Sequence, residues 1–282
     1  MASSGEKVRV PYFWYDFAAG YISGVANIMS GQPFDICKVR MQSQGSGSFL
    51  GTLRTTVREE GVRKLWAGST FPLIFYGICN SIVFAVNESA RQFFRDRKKS
   101  QHLAPQEFFL SGALAGVANS FISSPMEHVR IRLQTDKAGL YRNSFHAAGK
   151  IIKDHGLKGL FLGQQITVLR EFILYGSYFS GYGILKQYLQ TDNKMVLMSL
   201  GGFAGTCGWV SSFYIDNLKS KIQTDSFSQP RFPTWRSLLP YITPKELTKG
   251  FTAGFLRAYP VNAITFLVYE MAADTIYADK KK

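Results

Sequence analysis

The sequence is short of acid and short of cysteine. Its 282 residues hold 19 Asp+Glu against 33 Lys+Arg, a formal net charge of +14. Only 18% of residues are charged, while 46% are apolar and 15% aromatic, a balance that excludes a disordered chain. Three cysteines, Cys37, Cys79 and Cys207, lie without CxxC spacing and so exclude a disulfide framework or a zinc ribbon. His102, His128, His146 and His155 show no metal-ligand spacing, and no Gly-rich phosphate loop of the P-loop or dinucleotide type is present. An enzyme is therefore not expected, and neither is a metal. The opening MASSGEKVRV has no apolar h-region, so no cleaved secretory signal is visible. A mean hydropathy of −0.04 argues against a simple bundle of greasy membrane spans. The basic excess by itself allows nucleic acid, anionic lipid or anionic solutes as partners.

What is present is a threefold repeat. QPFDICKVRMQ begins at Gln32, SPMEHVRIRLQ at Ser124 and FYIDNLKSKIQ at Phe213, so Pro33, Pro125 and Tyr214 recur at spacings of 92 and 89 residues. The chain thus divides into three units of about 94 residues, taken as 1–100, 101–192 and 193–282. Other features keep the same register. Gly20 and Gly24, Gly112 and Gly116, and Gly201 and Gly205 precede the anchors, and Gln42, Gln134 and Gln223 follow them. Gly68, Gly163 and Gly250 each stand 16 residues before a Phe. Each unit reads as two long helices joined by a polar stretch, since apolar runs such as 71–86 and 255–269 are too long for strands. The GxxxG pairs suit close approach between membrane helices. Short amphipathic stretches, Leu50–Glu60 and Ser144–His155, lie between the paired helices, whereas Pro233–Pro244 holds three prolines and must be shorter or irregular. Six helices of membrane-spanning length around an aqueous cavity account for the hydropathy.

Within each anchor a carboxylate precedes a base by three residues: Asp35/Lys38, Glu127/Arg130 and Asp216/Lys219. Positions i and i+3 share a helix face. One such pair would be an ordinary solvated face, but three in register let each helix pair its acid with a neighbour's base. A ring of salt bridges that can open is a gate. Because the bases follow this repeat, they do not form the clustered basic patch that a nucleic-acid binder needs.

The pattern P-x-[DE]-x-x-[KR] in three tandem units, covering about Tyr15 to Tyr277, resembles the mitochondrial carrier family. The resemblance implies an all-α fold of six transmembrane helices with pseudo-threefold symmetry in the mitochondrial inner membrane, alternating access between two gates, and exchange of a small metabolite. It pairs Asp35 with Arg130, Glu127 with Lys219 and Asp216 with Lys38 at a matrix gate braced by Gln42, Gln134 and Gln223. At a cytoplasmic gate it pairs Glu88 with Lys186 and Glu270 with Arg91, while Gly183 and Ala273 stand where a third pair would be. No cofactor is implied. Cardiolipin is implied as a bound lipid at the glycines before the even helices, where backbone donors face outward.

Counting from Gly68, Gly163 and Gly250 places Phe75 and Tyr76, Arg170 and Glu171, and Arg257 at the family's solute site, with Cys79 and Asn80 one turn on. Ionisable residues inside a membrane helix are functional candidates. Arg170 and Arg257 suit a carboxylate, and Glu171 suits an ammonium group. The set resembles the amino-acid and carnitine/acylcarnitine branch. Cys79 and Asn80 carry no charge for a cationic side chain, which favours a zwitterionic or carboxylate-bearing solute over a dibasic one. The irregular third unit, including Tyr214, leaves a second reading open: a carrier fold without transport, serving in a larger membrane complex.

Overall fold

A computed structural model describes residues 13–44, 48–100, 102–136, 138–190, 194–225, 227, 231–232, 234–238, 240, 243 and 248–278. Nine α-helices lie among them. They are α1 (Phe13–Gln44), α2 (Phe49–Glu60), α3 (Thr70–Lys98), α4 (Pro105–Thr135), α5 (Ser144–Leu160), α6 (Gln164–Leu189), α7 (Lys194–Thr224), α8 (Trp235–Leu238) and α9 (Phe251–Ala278), with a 3-10 turn at Val62–Trp66. The odd long helices of the repeat are α1, α4 and α7, and the even ones are α3, α6 and α9. The shortest of these six, α6, has 26 residues, about 39 Å at 1.5 Å per residue, enough for a hydrocarbon core of roughly 30 Å. By length and composition alone, one described stretch, Val62–Lys98, is apolar enough to cross a membrane. Each of the other five long helices places at least one charged side chain in the cluster described below.

The helices close into a ring because each unit packs on the next: α3 on α4, α6 on α7, and α9 back on α1. Large apolar side chains such as Phe84, Phe121, Phe203 and Phe255 are more than half exposed on the outside, the reverse of a water-soluble bundle. At one end the short helices seal each odd helix with an apolar cluster. Ile36 and Cys37 meet Leu65 with Phe49, Leu53 and Val57 around them. Val129 and Leu133 meet Ala147 and Ile151 of α5, and Ile222 meets Ile166 and Leu238 of α8. Of the proline-rich stretch 233–244, only α8 and a few neighbouring residues are described, and α8 is four residues long.

Gly68, Gly163 and Gly250 have φ of 80°, 78° and 78°, a left-handed turn open to glycine at no steric cost. A Cβ at Gly68 would lie 3.0 Å from the Arg130 carbonyl oxygen, and one at Gly250 3.1 Å from that of Lys38. Each even helix therefore starts pressed against the following odd helix. The GxxxG expectation holds in one unit of three. At Gly112 and Gly116 a side chain would collide with the backbone carbonyls of Tyr175 and Glu171, whereas Gly20 and Gly201 face nothing within 4 Å and Gly24 faces the Tyr76 ring. Among these GxxxG pairs, backbone-to-backbone packing is found between α4 and α6; α7 also approaches the α6 backbone closely, at Gly208 beside the Leu174 carbonyl.

Candidate functional site

The odd helices converge at the α2/α5 end, where their charges meet. Arg130 of α4 donates to Asp35 of α1 at 2.7 Å. Lys219 of α7 bonds to Glu127 of α4, and Lys38 of α1 to Asp216 of α7. The three pairings implied by the family pattern are thus all present, each crossing from one unit to another. Lys219 is nearly inaccessible, and its five partners in the ring are at most about a fifth exposed.

Above this ring sit the two arginines of the expected solute site, and both reach down into it. Arg170 Nη2 donates to Glu127 at 2.9 and 3.1 Å and to Glu171 at 2.5 Å, and its Nε is 3.9 Å from Asp216. Arg257 Nε lies 3.0 Å from Asp35 Oδ1, and its Nη2 donates to Asn27 Oδ1 at 3.2 Å. Gly31 leaves the room: a Cβ there would stand 2.8 Å from the Arg257 Nε. Each gate acid consequently faces two cations, Asp35 those of Arg130 and Arg257, Glu127 those of Lys219 and Arg170, and Asp216 those of Lys38 and, farther off, Arg170. The three acids and three bases of the ring, with Arg170, line a cavity of about 180 Å³.

Three expectations need correction. The glutamines do not brace the ion pairs. Gln42 accepts from Ser220 at 2.9 Å, Gln223 donates to the Leu162 carbonyl at 3.3 Å, and both polar atoms of Gln134 are buried without a partner. Lying two turns below the acids, they pack against the underlying helix ends. The brace comes from the opposite side: Gln32 accepts from Arg130 at 2.6 Å while donating to the Ala67 carbonyl at 2.7 Å.

Glu171, expected to face an ammonium group, is instead turned into the wall between α6 and α4. It accepts from Asn119 Nδ2 and Ser123 Oγ, each at 3.1 Å. The third correction concerns the opposite end, where Glu88 does not reach Lys186. Glu88 pairs with Arg95 of its own helix at 3.0 Å, and Lys186 lies over the Tyr182 ring. Arg91 lies over the rings of Phe108 and Phe179, 5.0 and 5.6 Å away. Its expected partner Glu270 has its side chain outside the described residues. Gly183 is buried against Phe108, whose ring a side chain there would strike, so packing as well as missing charge sets this position apart. Among the described residues, the ring of ion pairs joining the three units lies at the α2/α5 end.

On α3, Phe75 packs edge-on to Phe71, and Tyr76 fills the space beside Gly24 rather than entering the charge cluster. Cys79 is half-buried within the field of Glu127 and Glu171, and Asn80 is half-buried beside it. Residues that sequence reasoning missed are Gln32, Asn27, Asn119 and Ser123, together with Tyr175, whose phenol shares the field of Arg170 and Glu171. Asn119 and Ser123 had a usable signal, being polar groups four apart on one face of α4. Asn27 had one too, since it stands at the repeat position of Asn119, 92 residues earlier, whereas Gln32 had none.

A family model described as mitochondrial carrier protein matches residues 9–98, 101–193 and 194–280. The chain is 38% identical to the glutamate/glycine mitochondrial carrier ymc1 of Schizosaccharomyces pombe, over 93% of this chain and 94% of that one. It is 33% identical to the mitochondrial glycine transporter YMC1 of Saccharomyces cerevisiae, over 91% and 90%. With the mitochondrial basic amino acids transporter of Bos taurus it shares 34% identity, over 89% and 88%.

Proposed function

The chain belongs to the mitochondrial carrier family, a family of transporters and not of enzymes, and on that premise we propose that it exchanges a small carboxylate-bearing or zwitterionic amino acid across the mitochondrial inner membrane by alternating access. Its six long helices cross the membrane, with the Asp35, Glu127 and Asp216 ring closing the matrix side.

The observation that carries this reading is the double use of Arg170 and Arg257. Arg170 donates to Glu127, and Arg257 forms an ion pair with Asp35. A ligand shifts a conformational equilibrium only through contacts that differ between the states. A carboxylate entering the cavity competes for these guanidiniums, and on winning them it leaves Glu127 and Asp35 with one cation each. The gate is then weakened by the act of binding. The cluster also has a charge to spare: Lys38, Arg130, Arg170, Lys219 and Arg257 face Asp35, Glu127, Glu171 and Asp216. A carboxylate supplies the missing negative charge.

The relatives named for glutamate, glycine and basic amino acids support the amino-acid class. Within it, Cys79 and Asn80 offer no carboxylate to a cationic side chain, which favours small neutral or acidic amino acids. The three turns at Gly68, Gly163 and Gly250 suit cardiolipin phosphates, which would tie the even helices to the membrane surface. A complete ion-pair ring weighs against a carrier fold that has lost transport and serves only in a larger complex.

Reconstitution in liposomes preloaded with individual amino acids, acylcarnitines, keto acids and nucleotides tests the proposal. Exchange of glycine or glutamate, with lysine and arginine excluded, is the expected result. Absence of exchange for every solute, with stable co-purification in a large complex, would overturn it.

A further inference from the structure

Glu171 stands apart from the other acids of the cluster. Asp35, Glu127 and Asp216 line the cavity, as does Arg170, but Glu171 does not. Both of its carboxylate oxygens are already occupied. Oε1 accepts from Ser123 Oγ and Arg170 Nη2, and Oε2 accepts from Asn119 Nδ2. Glu171, Asn119 and Ser123 are each only 3% exposed. The Glu171 backbone carbonyl sits directly against Gly116 of α4, so this turn of α6 is pressed to the wall that carries the carboxylate's two donors. Arg170 is in the opposite situation. Its Nη2 is held by Glu127 and Glu171, while its buried Nε has no hydrogen-bond partner.

We propose that Glu171 is a positioning residue, locked into the α4–α6 wall by Asn119 and Ser123, and that it holds Arg170 by one corner so that the solute carboxylate is read there without its ammonium group. The inference rests on the transport reading above and refines it. Because a charge-assisted hydrogen bond fixes a planar guanidinium in direction as well as in place, loss of Glu171 or of its two α4 donors disorders Arg170 toward any carboxylate. An amino acid and its deaminated counterpart then suffer alike.

Two measurements separate this inference from the transport reading. In the first, Glu171→Gln and the double variant Asn119→Ala/Ser123→Ala are reconstituted, and inhibition of amino-acid exchange is titrated with two pairs, glutamate against 2-oxoglutarate and glycine against glycolate. Both members of a pair are expected to weaken by the same factor, within about twofold, with Ser123→Thr remaining near wild type because it keeps the hydroxyl. A loss tenfold greater for the amino acid than for its deaminated partner would mean that Glu171 reads the ammonium group, and would overturn the inference. The second measurement needs no transport. With Cys37 and Cys207 replaced by Ser, Cys79 remains as a reporter in the field of Glu171. Its labelling rates by cationic and anionic methanethiosulfonate reagents are compared. Releasing Glu171 by Asn119→Ala/Ser123→Ala should raise the cation-to-anion ratio several-fold, and adding Glu171→Gln should cancel the rise. An unchanged ratio refutes the lock. If the wild type exchanges nothing, the transport reading fails, while the labelling ratio still decides whether α4 holds Glu171.

Discussion

Arg257 and Arg170 occupy similar places but differ in what they leave behind when removed. Arg257→Ala deprives Asp35 of one cation and leaves it Arg130 at 2.7 Å, so folded protein with exchange reduced at least 100-fold is expected. Arg170→Ala leaves Glu171 buried with only neutral donors. An uncompensated buried charge costs about 3–5 kcal/mol, so this variant should lose stability as well as exchange. Thermal unfolding in detergent beside liposome assays distinguishes the two, and equal stability losses would contradict the assignment. Outside the membrane, Glu60 gives a pH test. Burial opposes its ionisation, but two hydrogen bonds from Arg40 and the nearby Lys64 outweigh this and hold its carboxyl below the usual range. A depressed carboxyl contributes stability above its unfolded pKa and loses it as pH falls through the folded value. The stabilisation should therefore be full at neutral pH and disappear in acid, below the ordinary carboxylate range. Glu60→Gln should remove about 1.5–3 kcal/mol at pH 7, the worth of hydrogen bonds to a charged group, and flatten the acid limb of a melting-temperature profile.

At the level of elements, α4 and α6 form a fused pair, and glycine substitutions should expose it. Gly116→Val and Gly112→Val press a branched side chain into backbone carbonyls of α6, and overpacking costs roughly 1–3 kcal/mol or more. Gly201→Val and Gly20→Val meet open space and should stay within about 0.5 kcal/mol, as surface changes do. Comparable melting temperatures across all four would show that the pairing is looser than described. The same glycines mark where sequence reasoning stops. Helix count, helix order and the three cross-unit ion pairs were legible because they recur at a fixed period, and a period filters out chance. Which GxxxG pair makes a contact was not legible, because close approach depends on the opposing surface, and the sequence of one helix does not encode that. Glu171 was misread for a related reason. Its neighbours Asn119 and Ser123 lie about 50 residues away, on α4, and their four-residue spacing does not say which helix that face meets. The glutamines were placed on the correct helices and the correct face, but a hydrogen bond needs a partner at about 3 Å, and at that depth Ser220 and the Leu162 carbonyl are nearer competitors.

For the molecule as a whole, closure at the α2/α5 end follows from one charge arrangement. The ion pairs join α1 to α4, α4 to α7 and α7 to α1, so no unit can swing outward without breaking two of them. Glu127 is the most heavily committed acid, holding Lys219 and accepting from Arg170 through both of its oxygens. Glu127→Gln should therefore loosen the ring more than any other single neutralisation. Ser220 offers the readout, since it is buried beneath the ring with its hydroxyl bonded to Gln42. In a protein whose native cysteines are replaced by Ser, Ser220→Cys should resist an impermeant thiol reagent applied from the α2/α5 side and become several-fold more reactive when Glu127→Gln is added. A transported carboxylate should produce the same increase in the otherwise unaltered protein, because it takes Arg170 and Arg257 away from the gate acids. Double-mutant cycles between Glu127→Gln and Lys219→Gln should then show non-additivity of about 0.5–3 kcal/mol, as expected for groups in one network. Reactivity that responds to neither the substitution nor the solute would mean that the ion-pair ring is a structural tie with no gating role, because a barrier that opens must be sensitive to the charges that close it.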